Sequence, residues 1–179
     1  IDGKASISRT ARVFPTYLIF KPAMFLTSFL LVKYWLSNKK IILYKDPNNT
    51  YINKFVFFGI GSAVLLVIHS IFLGIKFEYE LYKLFRRVVI LFFIVFEIIA
   101  QTYLVICLYK IRHSISENIN EIFLKLKIFL VSLLIIVALI SIPVVSAPGN
   151  KYLKHALEWD YFVGVISFYL LTFFMWKKN

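Results

Sequence analysis

Apolar residues in this chain gather into five long runs separated by short polar connections. The runs are Phe14–Leu36, Phe55–Ile75, Val88–Tyr109, Ile128–Ala147 and Tyr161–Trp176. Each is close to the roughly 20 residues that cross a bilayer core as a helix. None shows the strict alternation of a membrane barrel strand, and in lipid a lone segment satisfies its backbone only as a helix. The pattern therefore predicts an all-α, polytopic transmembrane helix bundle. It forms a single domain over 1–179, with helices over about 14–36, 55–75, 88–109, 128–147 and 158–176. A soluble helical protein is the alternative, but one small domain has no core large enough to hide five such helices.

Local signals refine the elements. Pro22 falls inside the first run, where its missing N–H predicts a kink or the helix's true start. Lys21 and Lys33 are placed to snorkel to opposite interfaces. The first connection holds Asp46-Pro47-Asn48-Asn49, a turn signal. Asn48-Asn49-Thr50 is a glycosylation sequon, meaningful only on a lumenal face. Gly59 and Gly61 in the second run allow a close helix approach. Glu80, Lys83, Arg86 and Arg87 read as a solvated, ion-paired collar before the third run. The connection "KIRHSISENINEIFLKLK" (110–127) has amphipathic character and is expected to lie partly on the membrane surface. Pro143 is expected to bend the fourth helix, and Pro148-Gly149 to close it.

Composition sharpens this picture. The chain is 60% hydrophobic and 18% aromatic, where an average soluble domain is about half apolar. Net charge is +12, with the cations collected in connections and at helix ends. That placement makes anionic lipid headgroups the expected partner, and a membrane-protein partner fits as well. Nucleic acid has little support: there is no zinc pattern, no glycine-rich phosphate loop and no basic domain. One cysteine, Cys107, excludes an internal disulfide. The opening "IDGKASISRTAR" lacks a signal peptide's order of features and does not begin with Met, so a preceding segment is expected.

Orientation is weakly encoded. Lys4, Arg9, Arg12, Lys76, Lys83, Arg86, Arg87, Lys151 and Lys154 fall on one side. Lys33, Lys39, Lys40, Lys45, Lys54, Lys110, Arg112, Lys125, Lys127, Lys177 and Lys178 fall on the other. The excess on the second side favours a cytoplasmic C-terminus.

Two groups of residues carry candidate chemistry. In "IVFEIIAQTYLV" (94–105), Glu97 sits near the middle of an apolar run, and Gln101 follows one turn later on the same face. An ionised carboxylate at mid-bilayer costs on the order of 3 kcal/mol or more, so Glu97 is expected to be neutral and to donate a hydrogen bond. Its partner is either structural, an interhelical bond to Ser, Thr, Tyr or His69, or functional, in a proton relay or headgroup pocket. His69 is the first-choice partner. The second group is His155, Glu158, Trp159 and Asp160. Trp159 suits a membrane–water boundary, and the acids suit the first turn of a helix. A metal site is not indicated, no cofactor is called for, and no catalytic constellation can be assembled from three histidines and one cysteine.

The stretch "HALEWDYFVGVISFYLLTFF" (155–174) resembles the last helix of the Frag/DRAM/Sfk family of multi-pass membrane proteins. Glu158-Trp159, Phe162, Ser167-Phe168 and Leu171-Thr172 carry that likeness. "ASISRTARVFPTYLIFKPAMFLTSFLLVKYW" (5–35) is similar to the family's outer loop and following helix, through Ser6-Ile7-Ser8 and Thr10, with Arg9 and Ala11 departing from its usual Asp and Gly. "NKFVFFGIGSAVLLVIHSIF" (53–72) is in register with a glycine-containing helix of the family. The third run departs from it, with Arg86, Arg87, Glu97 and Gln101. The resemblance implies six helices with the first absent here, residues 1–13 and 148–157 outside, and a cytoplasmic C-terminus. It also implies a non-enzymatic role in organising or sensing membrane lipid or partner proteins, in the setting of glycolipid-anchor remodelling, plasma-membrane lipid organisation or lysosomal autophagy control. No catalytic residue is carried over. A small proton-coupled transporter using Glu97 and a lipid-modifying enzyme using His155, Glu158 and Asp160 are the competing expectations.

Overall fold

The computed structural model describes residues 14–73, 79–146, 149 and 151–177. These residues are all-helical, and five helices are long and apolar enough to cross a membrane. They are α1 (Thr16–Lys45), α2 (Ile52–Phe72), α3 (Glu80–Ile111), α4 (Glu121–Ser146) and α5 (Lys151–Met175), with a short 3₁₀ turn at Arg112–Ile115. Together they support a multi-pass integral membrane protein. The chain divides into two compact units, residues 14–103 and residues 104–177, so α3 contributes to both.

Every helix starts earlier than its apolar run or ends later. α1 continues to Lys45, nine residues beyond Leu36. The extension is held by a stripe: Leu31, Trp35, Asn38 and Ile42 are all buried, at a three-to-four-residue spacing. An apolar-run reading stops where lysines begin, but helical period does not. Likewise α4 begins at Glu121, not near 128, because Leu124, Lys127, Val131 and Leu134 keep one face buried. The 110–127 connection is therefore shorter than expected, and its second half is helix. Pro22 is interior to α1 and does not mark its start.

In the first unit, α1 packs along α2. Asp46 to Tyr51 form the expected turn: Asn49 Nδ2 donates to Asp46 Oδ2 (2.9 Å), and Asn49 Oδ1 accepts from the Tyr51 N–H (3.0 Å). Gly59 permits the close approach. A Cβ there would lie 2.4 Å from the indole ring of Trp35, which is fully buried. A Cβ on Gly61 would meet Phe96 at 2.7 Å. At the far end of α2, the Tyr82 hydroxyl donates to the Phe72 carbonyl (2.7 Å), satisfying one of the acceptors a helix end leaves open.

In the second unit, α4 packs along α5. Gly164 admits the Leu134 side chain, which would stand 2.5 Å from an added Cβ. Asn120 starts α4: its Oδ1 accepts from the Ile122 N–H (3.0 Å), as an N-cap side chain does. The chain end is tied back to this connection. The Asn120 N–H donates to the Met175 carbonyl (2.8 Å), and the Lys177 N–H donates to the Asn118 carbonyl (2.9 Å). Residues 1–13, expected on one face with 148–157, and Lys178 lie outside the described residues.

Candidate functional site

Helical spacing alone puts Glu97 and Gln101 on one face of α3, and the structure joins them. Gln101 Nε2 donates to Glu97 Oε1 at 2.9 Å. Ser62 of α2 completes the group, its Oγ lying 2.7 Å from Glu97 Oε2. All three residues have zero exposure. The acid thus finds polar company from a neighbouring helix, which is what burial in an apolar run demands.

That company is not His69, the first-choice partner, and the correction is geometric. His69 lies seven residues beyond Ser62 on α2, about 10 Å along the axis at 1.5 Å per residue. Bonding Glu97 to Ser62 leaves the imidazole two turns away. His69 is buried, and its Nδ1 has no hydrogen-bond partner among the described residues. Ser62 was legible in "GIGS" but was overshadowed by the glycines beside it.

Proton counting at Ser62 says more about the acid. A serine hydroxyl has one proton, yet Ser62 Oγ is 2.8 Å from the Gly59 carbonyl and 2.7 Å from Glu97 Oε2. Both contacts become hydrogen bonds when a proton on Glu97 Oε2 is donated to Ser62 Oγ and the serine proton goes to Gly59. Glu97 Oε1 then accepts from Gln101. An ionised Glu97 would leave Ser62 sharing its single proton between two acceptors. The geometry fits a neutral carboxyl that donates one bond and accepts another.

A second buried polar group was not anticipated. Lys127 is fully buried in α4, although it falls within the 110–127 connection expected to lie partly on the membrane surface. Its Nζ donates to Thr172 Oγ1 of α5 and sits 3.9 Å from the centroid of the Phe168 ring. Thr172 passes its own proton to the Phe168 carbonyl (3.0 Å). A desolvated ammonium over an aromatic face gains about 2 kcal/mol or more. The signal that would have found it is the period-3.6 stripe through Leu124, Val131 and Leu134.

The expected interfacial group falls on one helix, and the Glu158 side chain lies outside the described residues. His155, Glu158, Trp159 and Asp160 all belong to α5, but the helix begins at Lys151, so they sit in its second and third turns. No acid occupies the first turn, which removes the dipole argument made for Glu158 and Asp160. Asp160 is exposed, His155 is half-buried, and Trp159 meets Phe162 edge-on at 6.0 Å. Among the described residues no three His, Cys, Asp or Glu side chains are grouped to hold a metal ion.

No protein-family model, curated protein or solved structure matches this chain.

Proposed function

We propose that the chain is a non-enzymatic multi-pass membrane protein that organises or senses membrane lipid or partner proteins, as its likeness to the Frag/DRAM/Sfk family implies. One observation carries the reading. The intramembrane acid is occupied by side chains of its own helix pair, with both carboxyl oxygens engaged by Ser62 and Gln101. A polar group spent on holding helices together leaves the apolar faces and the basic ends as the working surfaces. Those ends suit anionic headgroups at the cytoplasmic leaflet, with the C-terminus on that side. The test is lipid retention. Protein reconstituted in mixed anionic and zwitterionic vesicles, then extracted in mild detergent, should carry anionic lipid above its bulk fraction by mass spectrometry. Retention at the bulk ratio would count against the reading.

A proton-coupled carrier is the second reading, supported by the fit of the Ser62 contacts to a neutral Glu97 carboxyl. It requires proton flux in vesicles that vanishes in Glu97→Gln. A lipid-organising protein shows no such flux.

A further inference from the structure

A polar groove lies at the junction of α3 and α4. It encloses about 220 Å³ and is lined by Tyr109, Arg112, Glu121, Leu124, Lys125 and Ile128. All six belong to the second compact unit. The apolar spans that contain α3 and α4 end and begin here, at Ile115 and Glu121. In a membrane that level is where hydrocarbon gives way to headgroups.

From this placement and its chemistry we infer that the groove seats the phosphate of an anionic membrane lipid. The inference rests on the lipid-interacting reading proposed above. Arg112 is pre-positioned. Its Nη1 donates to the Tyr109 carbonyl (3.0 Å), and the guanidinium carbon lies 4.0 Å from the Tyr109 ring centroid. The remaining guanidinium donors present the planar fork that suits phosphate oxygens. Lys125 is exposed and makes no hydrogen bond or ion pair among the described residues, so its ammonium is available. Leu124 and Ile128, buried and half-buried, give the groove an apolar floor continuous with α4. A lipid satisfies both parts at once, with its phosphate between the cations and its glycerol and first methylenes on the floor. A free anion uses only the first part. Glu121 is the opposing feature: its exposed carboxylate makes no ion pair with Arg112 or Lys125 among the described residues and repels any phosphate.

Binding of short-chain phosphatidylglycerol to the detergent-solubilised full chain tests this. Phosphatidylcholine and inorganic phosphate serve as competitors, and a melting curve is run for each variant. The double change Arg112→Gln with Lys125→Gln should weaken phosphatidylglycerol binding about thirtyfold, the worth of two near-surface cations. Its melting temperature should fall only slightly, because Arg112 gives up one solvent-exposed bond to the Tyr109 carbonyl and Lys125 is exposed. Lys125→Gln alone, at an exposed position, should weaken binding part-way, and Glu121→Gln should tighten it. A control pair on α1, Lys39→Gln with Lys40→Gln, should leave the affinity in place. Wild-type affinity in the groove variant, with selective binding otherwise intact, overturns the groove while leaving the lipid reading standing. Equal loss in the control pair overturns it in favour of diffuse charge. Competition by inorganic phosphate at the lipid's own concentration overturns the lipid assignment. Absence of any preference for phosphatidylglycerol in the wild-type chain overturns both readings.

Discussion

Replacing Glu97 by Gln and by Leu should separate a structural acid from a functional one. The structure permits the two costs to be worked out in advance. In Glu97→Gln the new amide can donate from its nitrogen to Ser62 Oγ and accept at its oxygen from Gln101 Nε2. Those are the bonds a neutral Glu97 makes at 2.7 and 2.9 Å. Ser62 keeps the Gly59 carbonyl, so nothing is orphaned. The expected cost is below about 0.5 kcal/mol, under the average of about 0.6 kcal/mol for one hydrogen bond between membrane helices. In Glu97→Leu the serine still has Gly59, but Gln101 Nε2 loses its bond at a site with zero exposure. Its Oε1 already has no partner among the described residues, so the whole amide is stranded. That should destabilise the fold by about 1–2 kcal/mol. Denaturant and thermal unfolding in detergent measure both. If Gln proved as costly as Leu, the neutral-carboxyl geometry would be wrong. If Gln left the fold intact but abolished function as Leu does, a proton-relay role would become the better account.

Other expectations follow from the packing. Gly59→Ala should destabilise by about 1–3 kcal/mol, since its Cβ meets the fully buried Trp35 ring, whereas Gly61→Ala should be milder because the half-buried Phe96 can swing away; unfolding midpoints rank the two. Thr172→Val should cost about 1.5–3 kcal/mol by leaving the buried Lys127 ammonium without an oxygen partner. Lys127→Met should be near neutral, because Thr172 retains the Phe168 carbonyl; that asymmetry reads out in the same melts. Cysteines placed at Ser116 and Lys177 should label from the same side of the membrane, because Lys177 is tied to the 116–118 segment through the Asn118 and Ser116 carbonyls, and the buried Cys107 should give little background. Labelling from opposite sides would break that pairing.

How much of this was readable beforehand depends on which force wrote each feature. Five spans follow from apolar run length, because the bilayer's thickness sets a length that composition alone can meet. Helix ends do not, since the lysine-bearing turns of α1 and the Glu121–Lys127 start of α4 are held by one buried stripe rather than by average hydropathy. Glu97 and Gln101 were legible as a pair because they share one helix and one face. Their third member was not, since the relative register of two helices is decided by contacts such as Gly61 against Phe96, which no local pattern states. Lys127 was misplaced for a related reason. A single charge looks like solvent-facing loop until a threonine and a phenylalanine forty-odd residues later supply its bond and its aromatic face.

A density map of the protein in a lipid nanodisc, read at Glu97, tests the central claim most directly. The account predicts continuous side-chain density from Ser62 through the Glu97 carboxyl to Gln101, with no water file and no solute reaching the acid. A hydrated channel or a bound solute in contact with Glu97 would contradict it and turn the site from a helix–helix tie into a transport pathway.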